Sequence, residues 1–168
     1  HPPAFVPACG LGTRFGGSAK LAEPVDGFPI LQRTLVSLRA GGASRLLVGV
    51  RPGDRSLLPA LLPVPGWAFL EIPGWEEGMS ASYRWVAPLF PPDVPFILAC
   101  PADLPWLRAE TVARVIEAAN ASPGRMVVPY HRDRPGHPVA VPAALLARAG
   151  ELGGDEGFRR WRDDAHAL

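Results

Sequence analysis

Short apolar runs alternate with longer mixed segments along the chain: Ala4 to Ala8, Arg45 to Val50, Ala68 to Ile72, Phe96 to Cys100 and Met126 to Pro129. Runs of this length between turn residues predict buried strands. Most of the intervening segments carry apolar residues at helical spacing. Ile30, Leu31, Leu35 and Leu38 lead to Gly41-Gly42, and Val112, Val115, Ile116 and Ala119 lead to Ser122-Pro123-Gly124, so each predicts a helix with one buried face. A third helix is expected to start around Gly78, Ser80 and Ser82, with its amides and hydroxyls open at the sheet edge and Tyr83, Val86 and Phe90 as the buried face. Strands alternating with helices imply an α/β fold with a mainly parallel sheet. In such a sheet the loops beyond the strands' carboxyl ends are where ligands sit.

Composition narrows the class. The 168 residues suffice for one domain, residues 1–168, with a core of its own, and 48% hydrophobic against 20% charged residues excludes a disordered chain. Neither Pro-rich piece, Leu62 to Gly66 or Pro88 to Pro95, is long enough to divide it. A formal net charge of +1 offers no basic surface for nucleic acid or for an anionic membrane, so the expected partner is a small molecule. Cys9 and Cys100 each end an apolar run and read as reduced, buried thiols. No stretch of about 18 apolar residues and no signal-peptide pattern is present, so a soluble, cytoplasmic protein is expected.

The candidate chemistry lies in the loops after strands. Residues 8 to 20, ACGLGTRFGGSAK, form a glycine-rich turn of the kind that lets backbone amides approach phosphate. Phe15 stands where a dinucleotide fingerprint needs its third glycine, and Ala19-Lys20-Leu21 lacks the G-K-[ST] of a P-loop. What remains, Gly10, Gly12, Arg14, Gly16, Gly17 and Lys20, suits a triphosphate. Of 17 basic residues Lys20 is the only lysine, and a compact point charge has a use at a phosphate, although a solvated surface lysine is the commoner fate. In ILACPADLP, Asp103 follows a buried strand, either as a turn residue or as a carboxylate for Mg²⁺, an ion that needs only one or two protein carboxylates beside substrate phosphates.

Two further loops are less specific. WEEGMSASYRW (75 to 85) fits a helix start at a ligand or a plain capped helix. HRDRPGHPV (131 to 139) is a polar loop suited to a polyanionic or heteroaromatic substrate, or an ordinary exposed loop. His131 and His137, without a cysteine or helical spacing, are a weak signal for zinc. A serine elbow is absent, and neither cysteine has an activating histidine nearby in sequence.

Taken in order, these stretches resemble the molybdopterin nucleotidyltransferases, most of all their molybdenum cofactor cytidylyltransferase branch. ACGLGTRFGGSAKL is similar to A-A-G-x-G-x-R-x-G-G-x-x-K-L, GFPIL to G-x-P-L-L, WEEGMSAS to W-x-x-G-M-S-x-S, PADLP to A-D-x-P, RPGHPV to R-x-G-H-P-V and GGDEGFRR to G-D-x-G-x-R, across residues 4 to 160. The resemblance implies a three-layer α/β/α, Rossmann-like fold and transfer of a nucleoside monophosphate from an NTP to the phosphate of a molybdopterin-type cofactor, with pyrophosphate released. It implies nucleotide contacts at Ala8, Cys9, Gly10, Leu11, Gly12, Thr13, Arg14, Gly16, Gly17 and Lys20, catalytic roles for Arg14, Lys20 and Asp103, and Mg²⁺ on Asp103. Gly78, Met79, Ser80, His137 and Asp155 would lie toward the acceptor, and a molybdoenzyme would be the client. Cys9 stands where the cytidylyl branch has alanine and the guanylyl branch glycine; its bulk is nearer alanine, which favours CTP. The family commonly continues beyond G-D-x-G-x-R into a further strand and a D-x-D-T-P segment, which this chain is expected to lack, and Pro73-Gly74 replaces an asparagine-containing turn. A sugar-phosphate nucleotidyltransferase, and a non-catalytic carrier of the molybdenum cofactor, are the alternatives; Phe15 disfavours an NAD(P) oxidoreductase.

Overall fold

The computed structural model describes residues 1–10, 19–61, 64–91, 93–164 and 166–167, apart from the side chains of residue 19 and of residues 162 onward. Among the described residues seven strands form the central sheet: β1 (Ala4–Pro7), β2 (Leu46–Val50), β3 (Trp67–Glu71), β4 (Phe96–Ala99), β5 (Val127–Val128), β6 (Val139–Pro142) and β7 (His166–Ala167). Their spatial order is β7-β5-β6-β4-β1-β2-β3. β4, β1, β2 and β3 run parallel, with Ala4 beside Leu46 and Leu98.

β6 runs antiparallel to both β4 and β5. The sequence reading ends its last polar loop at Val139 and misses this strand. A parallel return needs a long crossover. Here the connection from β5 holds only a small hairpin, Tyr130–His131 with Arg134–Pro135, so the chain turns straight back. A second correction lies at the sheet's edge, where β7 pairs parallel to β5; a further strand does follow the G-D-x-G-x-R stretch.

Side chains of successive strand residues point to opposite faces, which gives the molecule two cores. Ala4, Val6, Leu46, Val48 and Leu98 pack with helices α1 (Ile30–Ala40) and α3 (Ala109–Ala121). Phe5, Leu47 and Ile97 pack on the opposite face with α2 (Met79–Val86) and with Phe158 and Trp161. The result is the expected three-layer α/β/α arrangement. At the end of α1, a Cβ on Gly41 would lie 2.4 Å from Val112 Cβ, so this glycine permits helix-to-helix contact in addition to closing the helix. α2 stops at Val86 and a 3-10 turn follows, so Phe90 lies beyond the helix and packs partly buried against the second core. Among the described residues no helix is long and apolar enough to cross a membrane.

Candidate active site

β1 leads through α1 to β2 on one side, while β4 pairs with β1 on the other. The chain's winding therefore reverses between β1 and β4, and a crevice opens at their carboxyl ends. The residues at that crevice are Pro7 to Gly10 at the end of β1 and Pro101 to Asp103 after β4, and both groups line a cleft of about 980 Å³.

Lys20 and Asp103, 83 residues apart in sequence, meet across this crevice with Nζ 3.3 Å from Oδ2. Both side chains are roughly half exposed, so their attraction is screened by water and adds little stability. Asp103 is held by its neighbours. The hydroxyl of fully buried Thr34 accepts a hydrogen bond from Leu104 N at 3.1 Å and lies 3.1 Å from Ala102 O, clamping both residues that flank Asp103. Further along the same loop, Arg33 Nε donates to Pro105 O at 2.9 Å and Ser37 Oγ to Leu107 O at 2.6 Å. One polar side of α1 thus fixes the carboxylate's loop. Neither Thr34 nor Ser37 stands out in a sequence whose helical pattern explains them as filler.

The start of the glycine-rich loop is fixed from β2. Arg51 donates from Nε to Cys9 O at 3.3 Å and from Nη2 to Gly10 O at 2.7 Å, and its guanidinium lies 4.5 Å from the Trp75 ring centroid. Ala8 and Cys9 are both 5% exposed, and Cys9 Sγ lies 3.1 Å from Ser82 Oγ. Leu11, Gly12, Thr13, Arg14, Gly16 and Gly17 lie outside the described residues.

The segment from Gly153 to Gly157 comes to the start of α2. Gly154 O accepts from Ser80 N at 3.0 Å, and Asp155 Oδ1 lies 3.4 Å from Met79 N, so two of the helix's otherwise unpaired first amides are satisfied by a distant turn. Gly78 makes the approach feasible. Its φ is +102°, and a Cβ there would lie 2.6 Å from the Gly154 carbonyl. These contacts correct the expectation of open amides and hydroxyls. The Ser82 hydroxyl bonds Cys9, and Ser80, fully buried, accepts from Arg84 Nη1 at 2.9 Å beneath the cleft instead of lining it. Gly78, Met79, Asp155 and His137 do line the cleft, whereas His131 stands out on the hairpin.

His137 is exposed at the cleft's rim and precedes a cis peptide bond to Pro138. Protein crowding around its ring strips hydration and lowers its pKa, opposed by the negative charge of Asp103. Burial raises the pKa values of Cys100, beneath the site, and of Tyr83, on its wall, so both stay protonated and serve as packing groups. Among the described residues no three His, Cys, Asp or Glu side chains gather as a metal cage. Asp103 is a hard oxygen donor beside a phosphate-type cation. It fits a hard divalent ion that takes most of its ligands from substrate phosphates and water.

Fold and crevice define the class: a doubly wound α/β domain with a lysine and a carboxylate at its switch point. The chain belongs to the family of MobA-like NTP transferase domains, whose model matches residues 4–168. It is 30% identical to 2-C-methyl-D-erythritol 4-phosphate cytidylyltransferase of Xanthomonas euvesicatoria over 95% of this chain and 59% of that protein. It is 32% identical to molybdenum cofactor guanylyltransferase of Rhodopseudomonas palustris over 70% of this chain and 56% of that one. The chain therefore covers under two thirds of the length of either relative. Rv0371c of Mycobacterium tuberculosis, solved alone and in complex with manganese, superposes with TM-scores of 0.82 and 0.77 at 22% and 20% identity, over 99% of this chain and 87% of that one.

Proposed function

We propose that this chain is a nucleotidyltransferase that joins the nucleoside monophosphate of an NTP to the phosphate of a small acceptor. The observation that carries this reading is the meeting of Lys20 and Asp103 at the switch-point crevice. An acceptor phosphate oxygen attacks the α-phosphorus, the bond from that phosphorus to the bridging oxygen breaks, and pyrophosphate leaves with the electron pair. The acceptor is already ionised, so no residue need remove a proton; the protein aligns two anions and stabilises charge on the leaving group.

Lys20 neutralises triphosphate charge, and Arg14 has the same role in this reading. Asp103 would hold Mg²⁺ or Mn²⁺, which supplies further charge neutralisation at the phosphates. Thr34 keeps that carboxylate in place, and Arg51 keeps the carbonyls of Cys9 and Gly10 turned away from the incoming anion. Gly78, Met79, His137 and Asp155 face the acceptor. His137 meets it as a hydrogen-bonding ring.

For the particular substrates, CTP and a molybdopterin-type acceptor are the first choice. The ordered motifs support the acceptor, and Cys9, nearer alanine than glycine in bulk, supports CTP. The Rhodopseudomonas relative supports the same acceptor with the guanylyl group, while the Xanthomonas relative favours a second reading, CTP with a small alcohol phosphate. The deciding assay is pyrophosphate release with Mg²⁺ and each of CTP, GTP, ATP and UTP, against molybdopterin and against 2-C-methyl-D-erythritol 4-phosphate. Acceptor-dependent release that disappears in Asp103→Ala is expected. No release with any pair, in a folded protein that still binds molybdopterin, would replace the enzyme reading with a carrier.

A further inference from the structure

The cleft straddles the strand ends, with Lys20 and Asp103 on the α1 and α3 side and a different wall on the α2 side. That second wall carries an apolar and aromatic patch, Met79, Tyr83, Met126, Val128 and Phe158, alongside the carboxylates of Glu76, Glu77 and Asp155. Arg159 stands on it as a permanent positive charge. Its backbone is anchored, since Phe158 is 4% exposed and its ring lies 4.6 Å from Tyr83 in an edge-on contact.

Among the described residues, the neighbouring Arg84, Arg148 and Arg160 are engaged in holding the fold. Arg84 binds Glu77, Ser80 and Leu152 O; Arg148 binds Glu151; Arg160 binds Glu151 O and lies 3.5 Å from Glu156. The same arginines of that turn, Arg148 and Arg160, also sit against the Trp161 ring. Arg159 is exposed and, among the described residues, makes no side-chain hydrogen bond or ion pair. A guanidinium beside an apolar patch is a planar, weakly hydrated fork matched to an oxyanion, and the displaced water strengthens its attraction.

We propose that Arg159 is the oxyanion-binding residue of the acceptor half of the cleft. It grips a non-transferring oxygen of the acceptor's phosphate while the apolar patch receives the flat or hydrocarbon flank of the acceptor body. Arg159 and Lys20 then flank the two anions that must meet, one cation on each side. The inference deepens the proposed function and rests on its placing the acceptor against α2.

Three titrations of the full chain test it, each on the wild type, Arg159→Gln, Arg159→Lys and the control Arg160→Gln: CTP with Mg²⁺, molybdopterin by fluorescence, and inorganic phosphate by ³¹P line broadening with CTP saturating. In Arg159→Gln a loss of about 10-fold or more in affinity for molybdopterin and phosphate is expected, as for a lost charge-assisted bond, with CTP binding unchanged. Arg159→Lys should recover part of it, and Arg160→Gln should behave as wild type. In the transfer assay the loss should appear in the acceptor KM and leave the CTP KM alone. A wild type that binds phosphate through Arg159 but not molybdopterin would fail the acceptor reading and keep this one. Unchanged phosphate affinity in Arg159→Gln, an equal loss of CTP affinity, or a wild type that binds no phosphate would overturn it.

Discussion

In the proposed function Lys20 acts at the reacting phosphates, whereas Gly78 and His137 line the cleft around them. Lys20→Ala should lower turnover on the order of 100-fold while leaving the melting temperature near wild type, because the half-exposed ion pair it loses contributes little to folding. Near-normal turnover in that variant would remove Lys20 from the chemistry. Gly78→Ala should do the reverse and destabilise the fold by about 2 kcal/mol or more, since φ of +102° and a 2.6 Å approach to Gly154 both oppose a side chain. Urea denaturation reads that directly. For His137 the sign follows from its lowered pKa. The unfolded chain binds the proton more readily, so the residue's contribution is fully present above about pH 6.5 and is lost as pH falls below that value. His137→Gln should therefore flatten the acid side of the stability profile, measured as the urea midpoint between about pH 5 and 8. A steeper acid limb in the variant would contradict the assignment.

Among elements, α1 shows how a helix can serve two masters. Its apolar stripe, Leu31, Leu35 and Leu38, is plain in the sequence and packs as expected. Its polar side holds the Asp103 loop through Arg33, Thr34 and Ser37, and nothing in the helical pattern says so, because the partners lie about seventy residues on. Thr34→Val keeps the shape and removes the hydroxyl. It should cost about 1 to 3 kcal/mol in stability by leaving Leu104 N and Ala102 O without their partner. It should also weaken Mn²⁺ affinity in the presence of CTP, measured by paramagnetic relaxation of water. A variant as unstable as expected but with unchanged Mn²⁺ affinity would make Thr34 a folding residue only. α2 teaches the complementary lesson. Its serines look like ligand groups, yet a distant turn caps its amides and its hydroxyls are buried; Asp155→Ala should cost about 1 kcal/mol as a lost cap.

At the scale of the whole molecule, the cleft depends on two layers meeting above the same strand ends. Ligand binding to the folded state alone should therefore stabilise both layers together: CTP with Mg²⁺ at about 100 times its Kd should add about 2.7 kcal/mol. In Asp103→Ala the metal-dependent share of that gain should vanish. A thermal shift with CTP that ignores both the metal and the substitution would place the nucleotide elsewhere.

The sequence by itself determined the class of fold and the place to search. Strand runs and helical stripes are local patterns, set by side-chain period, and five short runs with helices between them admit few architectures. The ordered loop motifs likewise mark the family, since each motif is contiguous. Only the tertiary structure decided that β6 turns back antiparallel, that Ser80 lies beneath the cleft while Asp155 reaches its edge, and that Thr34, Arg51 and Arg159 stand around the site. Those outcomes depend on contacts between residues far apart in the chain. No local period encodes which distant carbonyl a buried hydroxyl will meet.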